Sequence, residues 1–168
     1  MKNDLSFRQI IPDDDIGVAV ILLRESFGTV AAEFGLTEKN CPSNPAFIKK
    51  ESLKEQINNN RIFYLLYQDD KPVGSVAIEK SPDQPGVYYI ERVAVLPEYR
   101  HKGFGKELMK FATRRIISMG GKKISIAIID ENRILKNWYA NQGFIESGIR
   151  KFEHLPFTVC FMHKLLGE

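Results

Sequence analysis

Val93-Ala94-Val95-Leu96-Pro97-Glu98-Tyr99-Arg100-His101-Lys102-Gly103-Phe104-Gly105-Lys106 is the stretch on which the fold turns. An apolar, β-branched run ends at Leu96-Pro97, and a basic loop containing glycine follows. From Phe104 onward apolar residues recur at Leu108, Phe111, Ala112, Ile116 and Met119. The first part reads as a strand and the last as a helix, because residues three and four apart share one helical face. A helix that opens on Arg100-His101-Lys102-Gly103-Phe104-Gly105 presents unpaired backbone N–H groups and the positive end of its dipole to whatever precedes it. The natural guest is a phosphate. The loop lacks the Gly-Lys-Ser/Thr ending of a nucleoside triphosphate loop, and Gly103-Phe104-Gly105 has no third glycine to complete a dinucleotide fingerprint.

Upstream, Val87 to Leu96 reads as one long strand. Before it, Arg61–Tyr67 and Pro72–Ile78 form a hairpin signal around Gln68-Asp69-Asp70-Lys71, and Ser81–Gly86 is a turn by composition. Leu5–Ile10 alternates as a first strand, and Pro12-Asp13-Asp14-Asp15 is an acidic helix opening. Ile16, Ala19, Val20, Leu23 and Phe27 then share a helical stripe, which Gly28 is expected to stop. Thr29 to Asn44 loses periodicity and reads as a mobile connection or a short second helix. Ser43-Asn44-Pro45 resembles a cap for a helix running to about Asn58, with Ala46, Phe47, Leu53 and Ile57 as its apolar side.

Downstream, Gly120-Gly121 closes the central helix and Lys123–Ile129 is another strand, so strand, helix and strand imply a parallel crossover. Asp130-Glu131-Asn132 opens a last helix through Ile134, Leu135, Trp138 and Tyr139, ended by Gly143. Phe144–Phe152 and Phe157–Leu166 form a final strand pair. The order predicts an α/β (α+β) fold, residues 1–168 as a single domain, with helices on both faces of a mixed central sheet of about seven strands.

Composition narrows the function classes. Hydrophobic residues at 43% and charged residues at 27% are ordinary for a globular chain. No apolar run approaches membrane-spanning length and the N-terminus has no apolar signal core, which places the protein in the cytoplasm, away from membranes. A net charge of +3 is too small by itself to argue for nucleic acid; no nucleic-acid partner is expected, the alternative being a binder that uses the basic helix from Lys106 to Lys123. The basic residues from Arg100 to Lys123 surround the proposed phosphate loop, although Lys106, Lys110 and Arg114 also read as a solvated helix face. Cys41 and Cys160 lack metal-ligand or CxxC spacing and read as two reduced thiols, with no metal site.

Strict strand alternation places Val87, Tyr89, Glu91, Val93 and Val95 on one face and Tyr88, Ile90, Arg92, Ala94 and Leu96 on the other. Glu91 then lies among apolar neighbours, where desolvation raises a carboxyl pKa toward the range useful to a general base. The alternative is an ion pair between Glu91 and a basic side chain of the sheet.

The combination of Arg100-x-x-Gly103-x-Gly105 after Val93-Ala94-Val95-Leu96-Pro97, Asn132 with Tyr139 seven residues later, and Gly143-Phe144 four beyond the tyrosine resembles the GNAT superfamily of acyl-CoA-dependent N-acetyltransferases. The match covers roughly residues 60 to 150, and Leu5 to Phe27 agrees in pattern only. The resemblance implies acetyl-CoA as cosubstrate, with its pyrophosphate on the backbone of Arg100, His101, Lys102, Gly103, Phe104, Gly105 and Lys106. It implies a pantetheine arm along Val93 and Val95, where the sheet splays open. Asn132 would hold the pantetheine or cap its own helix. Tyr139 matches the tyrosine that protonates the departing thiolate, or it packs as a core tyrosine beside Trp138 and Phe144. Glu91 matches the glutamate used as base in polyamine-type members.

The implied activity is direct acetyl transfer to a primary amine of a small molecule or peptide. A non-catalytic acyl-CoA-binding regulatory module of the same fold is the alternative. By the same resemblance the acceptor pocket is shaped by Phe27 through Ile57 and by the last strand pair, including His154-Leu155-Pro156-Phe157. Phe27 and Tyr89 are candidates for substrate contact. Glu25, Glu33 and Glu38 would attract a cationic amine or are scattered surface acids. A homodimer is left open. His101 stands where many members have glycine, which predicts a loop restricted to negative φ.

Overall fold

Both faces of the central strands are apolar, and the chain covers both. A computed structural model describes residues 4–11 and 16–167. The predicted acidic opening Pro12–Asp15 lies outside the described residues. The elements are β1 (Leu5–Ile10), α1 (Ile16–Glu33), α2 (Lys50–Asn58), β2 (Ile62–Gln68), β3 (Lys71–Lys80), β4 (Val87–Val95), α3 (Phe104–Ser118), β5 (Lys123–Ile129), α4 (Arg133–Ala140), β6 (Ile145–Lys151) and β7 (Thr158–Leu165). They build a seven-stranded sheet in the order β1-β2-β3-β4-β5-β7-β6. Among the described residues only the β4–β5 pair is parallel, as the crossover through α3 requires. The mixed α/β sheet with helices on both faces matches the sequence expectation.

In β2, Phe63 and Leu65 turn toward α1 and α2, whereas Tyr64 and Leu66 turn toward α3. That alternation explains why the strand reads as a continuous apolar run. Phe63, Leu65 and Leu66 are fully buried, each stabilising the fold by roughly 1.5–3 kcal/mol through area removed from water. One layer packs Leu22, Leu23 and Leu53 on Ala77 and Ala94. The other packs Leu108, Ala112, Ile116 and Tyr139 on Val76, Ile78 and Ile90.

Three expectations are corrected. α1 does not stop at Gly28 but runs through it to Glu33. A mid-helix glycine costs only about 1 kcal/mol, and buried Leu22, Leu23, Ser26 and Ala31 on both sides hold the helix through that point. The terminating glycine is Gly35, at φ +65°, with Leu36 N–H bonded to the Ala31 carbonyl at 2.8 Å.

The segment after it is neither a helix nor an unstructured connection. Thr37 and Asn40 exchange bonds, Thr37 N–H to Asn40 Oδ1 at 2.7 Å and Asn40 N–H to Thr37 Oγ1 at 3.1 Å. Leu36 and Cys41 are buried with Ala31. Asn44 is the expected cap, accepting from Ala46 N–H at 2.9 Å, but it opens only a 3-10 turn at Pro45–Phe47. Ile48 and Lys49 then adopt extended backbone before α2 begins.

The third correction concerns β4. The β3–β4 register slips between Ser75 and Ala77, and Arg92 takes φ +54°. This is a β-bulge, and it shifts the phase of every side chain beyond it. Tyr88 and Ile90 before the bulge, and Val93 and Val95 after it, all join the α3 layer, while Ala94 and Leu96 join the α1 layer. Strict alternation therefore fails at Arg92.

Candidate active site

The bulge is held from β3. Ser75 is fully buried and its hydroxyl donates to the Arg92 carbonyl at 2.8 Å. Gly74 lets the strands approach closely, since a Cβ there would stand 2.8 Å from the Ala94 carbonyl oxygen and 3.1 Å from Leu108 Cδ1. A non-glycine residue fixed at positive φ stores strain, and such strain collects at sites of function.

Glu91 precedes the bulge, and its surroundings are charged rather than apolar. Arg61, at the entrance to β2, reaches Glu91 Oε2 at 2.7 Å and Glu79 Oε2 at 3.3 Å. Arg61 is also bonded to Gln56 Oε1 of α2. The ion-pair alternative is thus the observed arrangement. Burial nevertheless pushes the Glu91 carboxyl above its ordinary range; Arg61 opposes that shift and the Glu79 charge adds to it. Part of the Glu91 side chain, 28%, stays accessible to solvent. The result is a carboxylate with raised basicity, ion-paired with a guanidinium.

Next to it the sheet opens. β4 and β5 pair only at Val87–Lys123, Tyr88–Ile124 and Tyr89–Ser125. Beyond that point β4 continues to Val95 and β5 to Ile129 without pairing to each other. Leu96 N–H turns back to the Val73 carbonyl at 2.9 Å, so by alternation the Val95 and Val93 N–H groups face away from β3 and into the splay. An amide-bearing linker finds unpaired main-chain groups there.

The mouth of the splay is closed by the loop before α3. A 3-10 turn at Pro97–Tyr99 leads to extended Arg100. His101 then stands at φ +64° and Gly103 at φ +85°. The expectation of negative φ at His101 is therefore wrong; histidine is among the side chains that enter the left-handed region most readily. Gly103 caps α3 without a side-chain bond. The first backbone bond of the helix runs from Glu107 N–H to the Gly103 carbonyl at 3.2 Å. The N–H groups of Phe104, Gly105 and Lys106 thus have no helical partner.

Phe104 is buried and anchors the helix start in the core, while His101, Lys102 and Lys106 are exposed. Lys102 Nζ sits over the Tyr99 ring, 5.4 Å from its centroid. The Arg100 side chain points away from the helix N-terminus. Its Nε donates to the Val95 carbonyl at 3.1 Å, Nη1 to Thr29 Oγ1 at 2.9 Å and Nη2 to the Ser26 carbonyl at 2.8 Å.

Gly105 is a contact glycine. A Cβ there would lie 2.9 Å from the Trp138 ring, so α3 and α4 touch at this point. Gly105→Ala is expected to destabilise the chain by about 1–3 kcal/mol through overpacking, read as a lower denaturant midpoint at unchanged slope. A substitution that leaves the midpoint in place would show that the Trp138 ring moves aside freely.

Asn132 caps α4, accepting from Leu135 N–H at 3.2 Å. Tyr139 is buried, with edge-on contacts to Trp138 and Phe144 at centroid distances of 4.9 and 5.5 Å. Burial alone pushes its phenol well above the ordinary range, so it keeps its proton at neutral pH. Asp130, Glu146 and Cys160 gather their polar atoms within 4.8 Å, with Lys136 on Asp130 as counter-ion.

On the α1 side of the bulge lies a cavity of about 450 Å³, lined by Asn44, Phe47, Ile48, Ser52, Gln56 and Arg92, with Glu38, Lys49 and Glu55 also contributing. Phe47 in its wall belongs to a cluster with Leu36, Leu155 and Phe157. The two segments expected to shape the acceptor pocket are therefore in contact with each other. Phe27 packs instead on the α1 layer, and Tyr89 directs its hydroxyl to Ser81 Oγ at 3.4 Å; neither lines the cavity. Arg61 and Arg92 were not legible as site residues. The sequence carries no mark of the bulge, which alone sets Arg92 on the same side as Glu91.

An open parallel strand pair facing a helix N-terminus, with a charged bulge beside it, defines a fold built to hold an extended, anionic ligand against an ionisable site. The model of the Acetyltransferase (GNAT) family matches residues 31–144, and the chain belongs to that family. It is an acetyltransferase. It is similar to a protein described as "Uncharacterized N-acetyltransferase in pepI 3'region" from Lactobacillus delbrueckii subsp. lactis, 24% identical over 144 residues, covering 79% of this chain and 80% of that one. Its fold resembles the PaiA N-acetyltransferase from Thermoplasma acidophilum in complex with coenzyme A, at TM-score 0.77 and 19% identity, covering 97% and 99% of the two chains. It also resembles the ribosomal-protein-S18-alanine N-acetyltransferase from Escherichia coli, at TM-score 0.76 and 13% identity, covering 98% and 96%. Among the described residues no helix is long and apolar enough to cross a membrane.

Proposed function

We propose that this acetyltransferase moves the acetyl group of acetyl-CoA to the primary amine of a small molecule or peptide, in one step within a ternary complex. The observation that carries this reading is the unpaired splay between β4 and β5, set between the α3 N-terminus and Glu91. The pyrophosphate would lie on the N–H groups of the Arg100–Lys106 loop, where the helix dipole favours negative charge. The pantetheine amides would use Val93 and Val95, and Asn132 would fix the start of α4 beneath them.

Glu91 takes a proton from the acceptor ammonium. The freed nitrogen attacks the thioester carbonyl, whose oxygen gathers charge near the Val95 N–H. The C–S bond breaks and the sulfur leaves as a thiolate with the bonding pair, stabilised by a hydrogen bond from the Tyr139 hydroxyl, which keeps its proton; the new amide loses its second proton to solvent, from which the thiolate takes one. A thiol has a pKa near about 8.5, so the sulfur needs only modest help.

The test is coenzyme A release from acetyl-CoA over amines, polyamines, aminoglycosides, amino acids and peptides. Turnover with an amine supports the reading, and binding of acetyl-CoA without turnover on any acceptor would overturn it. Tyr139→Phe is expected to lower kcat by about tenfold, below the range usual for proton transfer. Its Tm should stay within about 1 °C, because among the described residues no hydrogen bond holds the hydroxyl and the ring contacts remain. An unchanged kcat would return Tyr139 to a packing role.

A further inference from the structure

Arg92 is a cation that no carboxylate contacts among the described residues. The carboxylates close enough to act on it, Glu79 and Glu91, are both engaged by Arg61. Among the described residues no carboxylate forms an ion pair with Arg92, and its buried Nε has no acceptor. Burial, reinforced by the Arg61 charge, pulls its pKa below the usual arginine value, yet a guanidinium stays charged at neutral pH. A desolvated charge is costly unless paired. The bulge nevertheless keeps this one at φ +54°, and a buried serine bonds its carbonyl.

The Arg92 side chain lines the cavity beside Asn44, Ser52 and Gln56. These neutral side chains can complete hydrogen bonds to a ligand without cancelling a charge. The acids that share the cavity, Glu38 and Glu55, are exposed, and exposed charges interact weakly across water. At about 450 Å³ the cavity has the size of a small-molecule site. Arg92 is the half-buried charge in its wall, and the groups nearest it there leave its guanidinium free to bond a ligand.

We propose that the acceptor is a small amine that also bears a carboxylate, with the carboxylate held by Arg92 and the amine facing Glu91. This rests on the acetyl-transfer reading above. Glu91 and Arg92 are consecutive and each acts on the other's charge, so a ligand that leaves the cavity wall at Arg92 to meet Glu91 carries its carboxylate and amine close together, as in an amino acid. The planar guanidinium matches a carboxylate through two parallel N–H···O bonds. A polyamine would set further positive charge against Arg92 and Arg61.

The experiment compares matched triples of free amino acid, its carboxamide and its decarboxylated amine: phenylalanine, phenylalaninamide and phenethylamine; leucine, leucinamide and isopentylamine; lysine, lysinamide and cadaverine. In at least one triple the acid should exceed the other two by about tenfold or more in kcat/KM, chiefly through KM. Arg92→Gln should bring that ratio to within about threefold of unity, and Arg92→Lys should restore part of it. The unliganded Arg92→Gln protein should be at least as stable as the parent, since a buried Nε without an acceptor has been removed.

Amides and amines that match or exceed the acid, or an Arg92→Gln protein that loses activity on all three alike, would overturn the proposal. If no triple turns over, Tm at saturating coenzyme A decides it. A rise with an acid alone, abolished by Arg92→Gln, sustains the carboxylate site while the transfer reading fails. No acid-specific rise overturns the site.

Discussion

Glu91→Gln is expected to lower kcat/KM by about 100-fold or more at neutral pH, the lower end of what a positioned proton acceptor contributes. Glutamine keeps the size of the side chain and removes its basicity. Arg61 retains Glu79 at 3.3 Å and its bond to Gln56, so the fold is expected to survive and the loss reports chemistry. The sign of the pH dependence follows from the shift. Burial raises the folded-state pKa of Glu91 above the ordinary carboxylate value, about 4.3, and the group acts as a base only when ionised. Activity therefore declines as pH falls through that raised value, and the acidic limb is expected to disappear from the Glu91→Gln profile. A variant within about threefold of the parent at every pH would remove Glu91 from the mechanism.

The second large effect concerns Arg100. Its side chain ties the loop before α3 to β4 through the Val95 carbonyl and to α1 through the Ser26 carbonyl and the Thr29 hydroxyl. Hydrogen bonds from a charged donor contribute about 1.5–3 kcal/mol each, and water replaces some of that at a half-buried position. Arg100→Met is therefore expected to destabilise the ligand-free protein by about 2–4 kcal/mol, measured by urea denaturation. Coenzyme A affinity should fall as well, because the loop loses its tether to α1. A direct phosphate contact predicts the opposite pattern: unchanged ligand-free stability, with weakened binding and a shallower salt dependence.

Local rules found most of the frame. Pro and Gly punctuation, the apolar period of α3 and the continuous strand of β2 each have a cause within a few residues. Where a boundary was missed, contacts distant in sequence had overridden a local preference. Gly28 breaks a helix only if nothing packs around it, and Pro45 begins a long helix only if the residues after it continue to turn. The candidate site was legible in part for the same reason. Glu91 and the loop before α3 belong to a pattern that lies along the chain. Arg92 depends on a register slip between β3 and β4, which arises from the fit of two strands and leaves no trace in either alone, and Arg61 and the cavity wall needed α2 in place beside the sheet. Arg100 was legible as part of the loop, but its role as a tether needed α1 in place.

The three-residue seam between β4 and β5 makes the two halves of the sheet unequal partners. β1 to β4 are laced edge to edge, and so are β5, β7 and β6, but strand pairing between the halves covers Val87–Tyr89 and Lys123–Ser125 alone. If the donor lies in the gap, it serves as temporary architecture: each catalytic cycle removes a rib from the molecule and the next donor replaces it. Donor binding and mechanical stiffening would then be one event, and an empty enzyme would be the softer body between turnovers.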